Sequence, residues 1–453
     1  MNNAKQLSGM KGFGIVWLGQ IISVLASSMT GFGMTLWIYK QTESATAMGL
    51  MQVAFITPFL LLSPIAGVMV DRYNRKLMMM ISDLGAVLST AAVLILYTTG
   101  LLEFWHLYIA SIINGLGNTF QWPAYSAAIS TMVPKEQYGR ANGMMSLVEA
   151  GPGVLAPMLA GAVLAVNLQG LFDSFALIML IDLITFFVAL GSLLIVYVPQ
   201  PEKTVEGQQA QGNIWKESWY GFQYIFKRPS LLGLQMIFFF GNLFSGIGYT
   251  IFAPMILARS GQNSLVFGSV QTAGAAGGII GAILMSAWGG FTRRVHGVLA
   301  GWVLFGLFYA AFGATTDVSL WIPIIILASL TGPLINTSNQ AIWQSKVAPD
   351  LQGRVFSARR LIAWFTQPIA PIIAGTLADF VMEPAMKSDT AVASVFGPLF
   401  GTGPGSGMGL LMFFAGLIAA FIGLSGYFIP AIRNAEDILP DHDELEKVAV
   451  PAD

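Results

Sequence analysis

Three carboxylates, Asp83, Glu149 and Asp182, stand inside long apolar runs of a 453-residue chain. An ionisable group in such a run is expensive to bury and is a functional candidate for that reason. A carboxylate there that alternates between its protonated and ionised forms can carry a proton, so all three are candidates for proton coupling. Asp83 lies two helical turns beyond Lys76, within reach of nearby bases, which favours a structural role. Glu149 and Asp182 lie roughly 12 and 15 Å into their runs at ~1.5 Å per residue. Asp182 also suits hydrogen bonding between helices, which leaves Glu149 as the leading proton-site candidate. A second constellation, Gly67 to Lys76 (GVMVDRYNRK), joins two apolar runs and gathers Asp71, Arg72, Arg75 and Lys76. Other chemistries find no support. There is no cysteine for a thiolate or disulfide, and His106, His296 and His442 are too scattered for a metal or catalytic cluster. Gly401-Thr-Gly403-Pro-Gly405 superficially resembles a phosphate loop, but it follows no strand and lacks the lysine. The residues therefore suggest no enzyme, no cofactor and no metal, and a net charge of −1 gives no reason to expect nucleic acid.

The elements that must position these residues follow from composition. Charged residues are 10 % and apolar residues 55 % of the chain, against roughly 25 % charge in an ordinary soluble domain. Runs such as 77–102, 105–133 and 410–430 exceed the ~20 apolar residues that cross a bilayer core. Backbone groups cannot stay unpaired in lipid, so each run must be a helix. Twelve spans are expected: 13–39, 47–70, 77–100, 104–132, 141–166, 172–198, 231–258, 264–288, 296–316, 319–345, 354–379 and 407–432. The first run is too long for the core of a signal peptide and reads as a span. With both termini cytoplasmic, 19 of the 22 lysines and arginines fall in cytoplasmic segments, leaving Lys40, Arg259 and Lys387 outside. That alternation obeys the positive-inside rule loop by loop and would collapse if one span were missing.

The chain also matches itself at an offset of 214 residues. Val133 and Gly139-Arg140 correspond to Val347 and Gly353-Arg354, and Ala156-Pro157 and Ala160-Gly161 to Ala370-Pro371 and Ala374-Gly375. Six spans separate the copies, as in a transporter built from parallel repeats with a cavity between its halves. The expected organisation is a six-helix bundle at 1–198, a cytoplasmic linker at 199–230, a second bundle at 231–432 and an acidic cytoplasmic tail at 433–453. The linker carries Trp215, Trp219, Phe222, Tyr224 and Phe226 near helical spacing, which predicts an interfacial amphipathic helix or a plain connector. The outer stretch 380–406 reads as a Gly- and Pro-rich loop, and the tail from Glu436 to Glu446 as solvated and loose.

The Gly67–Lys76 run resembles the signature loop of the major facilitator superfamily, G-x-x-x-D-[RK]-x-x-[RK]-[RK], and stands between spans two and three where that family has it. Asn74 replaces the family's glycine, a tolerable change because Asn also accepts a left-handed backbone. Trp17-Leu-Gly-Gln20, Ser63-Pro64-Ile-Ala-Gly67, Ser82-Asp83, Trp122-Pro123-Ala124 and Gly353-Arg354-Val-Phe356-Ser357 narrow the resemblance to the drug-efflux branch that includes macrolide efflux pumps and the enterobactin exporter. The fold implied is all-α and integral to the membrane, with twelve transmembrane helices in two six-helix bundles. The function implied is export of amphipathic small molecules, in multidrug resistance or metabolite efflux, by a multi-pass monomer of the bacterial inner membrane. Proton antiport is the coupling implied; a lysophospholipid flippase of the same fold is the alternative.

By the same resemblance Gly67 lets span two approach span eleven, Asp71 faces the amino end of span eleven, and Arg72, Arg75 and Lys76 form charge pairs that latch the cytoplasmic side. The bases are also compatible with a purely topogenic role. The equivalent loop of the second half, Gly289 to Arg294, keeps Arg293 and Arg294 but has no aspartate, so the latch is expected to be asymmetric. Span five, with Gly151, Pro152, Pro157 and Gly161, resembles the exporters' glycine–proline motif, repeated at Pro371 and Gly375; it is a seal or a plain kinked helix. Substrate contacts in the family come from spans one, four, seven and ten. Their polar stripes here are Gln20, Ser23, Ser27 and Thr30; Asn114, Asn118, Gln121 and Tyr125; Gln235, Asn242 and Tyr249; and Asn336, Asn339, Gln340 and Trp343. Uncharged amides and aromatics suit a largely apolar ligand or hydrogen bonds between helices. Many drug–proton antiporters of the family carry an arginine in span four where this chain has Asn114, which leaves coupling by another route open.

Overall fold

The computed structural model describes residues 7–42, 45–165, 173–201, 204, 212–261, 263–387 and 390–442. Ends of the spans expected at 141–166 and 172–198, most of the polar opening of the linker and residues 443–453 of the tail lie outside the described residues. Long helices make up the fold: α1 (Gly9–Thr42), α2 (Ala45–Arg72), α3 (Arg75–Thr98), α4 (Phe104–Met132), α5 (Tyr138–Ala165), α6 (Ser174–Ile195), α7 (Ile214–Phe226), α8 (Pro229–Arg259), α9 (Ser264–Trp288), α10 (Arg294–Ala314), α11 (Val318–Lys346), α12 (Gln352–Trp364), α13 (Thr366–Leu377), α14 (Ala391–Phe400) and α15 (Ser406–Phe428). Eleven helical stretches of the described residues are long and apolar enough to cross a membrane. Among the long helices expected as spans, α4 falls short, on apolarity and not on length, since it has 29 residues and no Asp, Glu, Lys or Arg. Prolines sit inside α2, α4, α5, α8, α11 and α13, as a lipid environment and neighbouring helices allow.

The chain divides into two units. One holds 7–224 with Val347–Ala358; the other holds Ile225–Lys346 and Arg359–Asp441. In the first unit α4 packs on α2 and α3, α1 packs on α5 and α6, and α3 packs on α6. In the second α11 packs on α9 and α10, α8 on α13 and α15, and α10 on α15. The pairing scheme is the same in both, as the 214-residue repeat predicts. Small residues make the closest approaches. A Cβ on Gly115 would lie 2.1 Å from the Phe55 carbonyl oxygen, and one on Gly306 would lie 2.4 Å from that of Gly416.

Three expectations change. Asn74 is not left-handed: at φ −62° it is the N-cap of α3, its side chain accepting the Leu77 N–H at 3.2 Å. The stretch 380–406 is largely helical, with a π-helical turn at Ala378–Met382 followed by α14. The start of the tail is not loose. It forms short helices at Pro430–Arg433 and Ala435–Ile438, and its acids are engaged as described below.

Candidate functional site

Asp71 ends α2 with its side chain fully buried. Its Oδ1 accepts the Gly353 N–H at 2.6 Å, and its Oδ2 accepts the Arg354 N–H at 2.9 Å and Arg354 Nε at 3.1 Å. Those two N–H groups belong to the first turn of α12, where backbone donors have no helical acceptor and the helix dipole favours an anion. The approach requires glycine on both sides. A Cβ on Gly67 would lie 2.3 Å from the Gly353 carbonyl oxygen, and one on Gly353 the same distance from the Gly67 oxygen.

The three bases do different work. Arg72 donates Nη2 to Glu217 Oε1 at 2.7 Å and Nε to Oε2 at 3.2 Å, a bidentate pair, and also reaches the Gly212 carbonyl. Arg75 and Lys76, expected in charge pairs, go to carbonyls. Fully buried Arg75 donates to Ala127 at 2.7 Å and to Pro349, while Lys76 donates to Val196 at 2.9 Å, just past the C-terminal end of α6.

Glu217, on α7, is a member of this cluster that the sequence reading missed. Its side chain is fully buried, Arg354 Nη1 lies 3.6 Å away, and the Gly212 N–H donates to Oε1 at 2.6 Å. Burial pushes its carboxyl up, but the hydrogen bonds from Arg72 and Gly212 and the Arg354 and Arg72 charges outweigh it and hold the group below the usual glutamate range. Gly221, one turn on, lets α7 lie against Arg354: a Cβ there would be 2.3 Å from the Arg354 carbonyl oxygen. Asp71, Arg354, Glu217 and Arg72 thus form an alternating, charge-balanced quartet. The signal available was the Gly-Arg pair of the repeat; nothing local marked Glu217. The linker helix exposes Trp215 and Trp219 and turns its carboxylate inward.

Within the first unit a cavity of about 270 Å³ opens among α1, α2, α3, α4 and α6. Ser23, Ser27, Asn114, Asn118 and Gln121 line it with Asp83 and Asp182. Asp83 is held by amides: Gln20 Nε2 donates to Oδ2 at 2.9 Å and Gln121 Nε2 to Oδ1 at 2.6 Å, while Gln121 also donates to Gln20 Oε1 at 2.8 Å. Asp182 is held by hydroxyls: Ser27 donates to Oδ1 at 2.6 Å and Thr90 to Oδ2 at 3.0 Å. Asn114 donates to the Ala110 carbonyl at 2.9 Å. Tyr125 is buried against Phe13, its hydroxyl without a partner among the described residues. Glu149 stands apart from the cavity. It is exposed and accepts Trp122 Nε1 at 2.6 Å. Thr90 and Ser111, cavity residues on α3 and α4, were not singled out from sequence.

In the second unit Gln235 donates to the Arg359 carbonyl at 3.2 Å and Asn242 to that of Ala363 at 3.4 Å. Trp343 is fully buried, donates to Asn339 Oδ1 at 3.0 Å and lies under the Arg359 guanidinium, 5.3 Å from the ring centre; Arg359 also donates to Gln340. Arg359 is a further residue the sequence reading passed over. Tyr249 and Asn336, by contrast, are exposed. In α5, Gly151 and Pro152 are buried, Pro157 is half-buried and Gly161 is exposed. Pro371 is exposed and Gly375 half-buried on α13, whose Ala370 and Ala374 face inward.

The family profile described as Major Facilitator Superfamily matches residues 16–371. Macrolide efflux protein A of Streptococcus pyogenes is 24 % identical over 372 residues, 81 % of this chain and 89 % of that one. An enterobactin exporter of Citrobacter koseri is 22 % identical over 405 residues, 83 % of this chain and 91 % of its own. A crystal structure of a bacterial homologue of the iron transporter ferroportin, in an outward-facing state, superposes with a TM-score of 0.64 at 15 % identity, covering 91 % of this chain and 98 % of that one, and shares the fold. These matches and the eleven apolar stretches identify a multi-pass membrane transporter related to efflux pumps, from a family of transporters rather than enzymes.

Proposed function

We propose that this chain, which belongs to the Major Facilitator Superfamily, exports amphipathic small molecules from the bacterial cytoplasm across the inner membrane by alternating access, driven by protons moving inward. In this reading α4 is the twelfth span, both termini are cytoplasmic, and the bundles are 1–198 and 231–432, joined by 199–230 and followed by the tail at 433–453. The protein acts as a monomer.

The observation that carries the mechanism is Asp71 seated on the first turn of α12. A carboxylate bonded to free helix N–H groups is a strong contact, yet it can part and re-form without breaking any helix. The quartet around it is the cytoplasmic latch, closed when the binding site faces outward. The polar residues of α1, α4, α8 and α11 contact the cargo, and Gly151, Pro152, Pro157, Gly161, Pro371 and Gly375 let α5 and α13 flex and seal. The relatives named for macrolide and enterobactin efflux favour export over lipid flipping.

Uptake of a radiolabelled macrolide into inside-out vesicles, with and without an imposed proton gradient, tests the reading. Accumulation that depends on the gradient and falls at least tenfold in Asp71→Asn supports it. Gradient-independent accumulation, or an active Asp71→Asn, overturns it.

A further inference from the structure

The two carboxylates of the first-unit cavity have partners of different chemistry, and from this we infer a division of labour: Asp182 is the group that exchanges the coupling proton, and Asp83 is a fixed anion. The inference rests on the antiport reading above.

An amide nitrogen only donates. Around Asp83, Gln121 spends one N–H on Gln20 Oε1 and the other on Oδ1, and Gln20, oriented by that bond, donates to Oδ2. The ring closes with an amide donor on each carboxylate oxygen, and neither amide nitrogen can accept a proton from it. Protonating Asp83 weakens these charge-assisted bonds, and neither amide N–H can turn to accept the new O–H. A hydroxyl, in contrast, carries one hydrogen and two lone pairs. Ser27 and Thr90 donate to ionised Asp182, and either can accept from the protonated acid after rotation about one bond. The released hydroxyl hydrogen has a ready alternative in the carbonyl four residues back, the bond that Ser28, Thr35 and Thr42 already make on α1 at 2.7–2.8 Å. Asp182 can therefore take up a proton as a new Oδ–H bond from one side and lose it to the other with no heavy atom displaced.

The cavity fits this use. About 270 Å³ is room for several ordered waters beside polar partners. Water held there can bring a proton to either carboxylate. Asp83 and Asp182 are the ionisable groups among its lining residues, and no base lines it. The helices packed on α6 are α1, α3 and α5. Their other described ionisable groups lie near helix ends (Lys11, Arg75, Lys76, Tyr97, Tyr138, Arg140), except exposed Glu149. Asp83 and Thr90 are seven residues apart on α3, so the fixed anion stands roughly 10 Å along the helix from the Asp182 site. At that separation it favours a cation in the cavity without sharing the proton.

Infrared difference spectra of the reconstituted full-length chain, recorded between acid and neutral pH, read the protonated carboxyl directly. The expected result is a buried carboxylic C=O band that persists in Asp83→Asn and disappears in Asp182→Asn. A band lost in Asp83→Asn and kept in Asp182→Asn overturns the assignment, as does a band kept in both. Should Asp182→Asn not fold, Thr90→Val and Ser27→Ala supply the test. Each is expected to move the pH midpoint of the band, whereas Gln20→Leu leaves it in place; the opposite pattern refutes the inference. Proton flux measured with a pH-sensitive dye during macrolide transport separates the two layers. A titrating Asp182 band with no flux in the wild type rejects antiport while the site assignment stands.

Discussion

In the first unit the Gly67–Lys76 turn carries its own carboxylate, and Asp71 closes on the first N–H groups of α12, a segment about 280 residues away in sequence. The equivalent turn of the second unit, Gly289 to Arg294, has two left-handed glycines (φ +86° and +92°) and no acid. There the chain beyond α15 supplies it: Glu436 Oε2 accepts the Val295 N–H at 2.8 Å in the first turn of α10, Asp437 pairs with Arg293, and Asp441 pairs with Lys346 at 2.8 Å. Both arrangements place an anion at a helix N-terminus. They differ in what is tied down. Asp71 joins two long helices through fully buried groups, whereas Glu436 fastens a short terminal segment, and the Arg293–Asp437 pair is half exposed. The first ties α2 to α12 and the second fastens the short helices after α15 to α10.

The contrast can be broken at several points. The largest effect is expected from Gly353→Val, whose Cβ would meet the Gly67 oxygen at 2.3 Å and Asp71 Oδ1 at 2.5 Å. It should cost about 3 kcal/mol or more, seen as a lowered thermal midpoint in detergent and lost transport. Asp71→Asn keeps the shape and removes the charge from a buried pair. A loss of about 2–3 kcal/mol from the closed state is expected, against the ~3–5 kcal/mol for stranding a buried charge outright.

Glu217→Gln is next, at about 1–2 kcal/mol, reduced because Arg72 is partly in solvent. Its carboxyl is held below the unfolded value, so its contribution is full above the ordinary glutamate range near ~4.3 and disappears as pH falls through the lowered folded value. Thermal midpoints measured from pH 6 down to about 3 should therefore converge for wild type and Glu217→Gln at the acid end. A constant gap would remove Glu217 from the network. In the second unit Glu436→Gln should cost under about 1 kcal/mol and Arg293→Ala under ~0.5, both with transport intact.

Helix positions and the repeat were legible because hydropathy and charge report on residue type. Direction around a helix was not. Glu149 and Asp182 have similar depth in similarly apolar runs, and only packing turns one outward to Trp122 and the other toward Ser27 and Thr90. The polarity that lowers α4's hydropathy is partly the lining of a cavity, Ser111, Asn114, Asn118 and Gln121, so averaging hides why the helix is polar. Glu217 was illegible for a related reason. A carboxylate among lysines and aromatics in a linker reads as solvated, and its burial depends on Arg72 and Arg354, both more than 130 residues away. The Asp71–α12 contact was readable because glycine, aspartate and bases stand together in one loop.

Because the chain has no cysteine, a single Ser130→Cys substitution gives a clean reporter of the Asp71–α12 contact. Ser130 is half-buried and donates to Gln352 Oε1 at 2.7 Å at the start of α12, so a thiol there is partly shielded while α12 is seated. Maleimide labelling of Ser130→Cys in membranes, alone and combined with Asp71→Asn or Glu436→Gln, tests whether Asp71 holds α12 in place. Labelling is expected to be at least tenfold faster with Asp71→Asn and unchanged with Glu436→Gln. Equal rates in all three, or acceleration by Glu436→Gln alone, would contradict it.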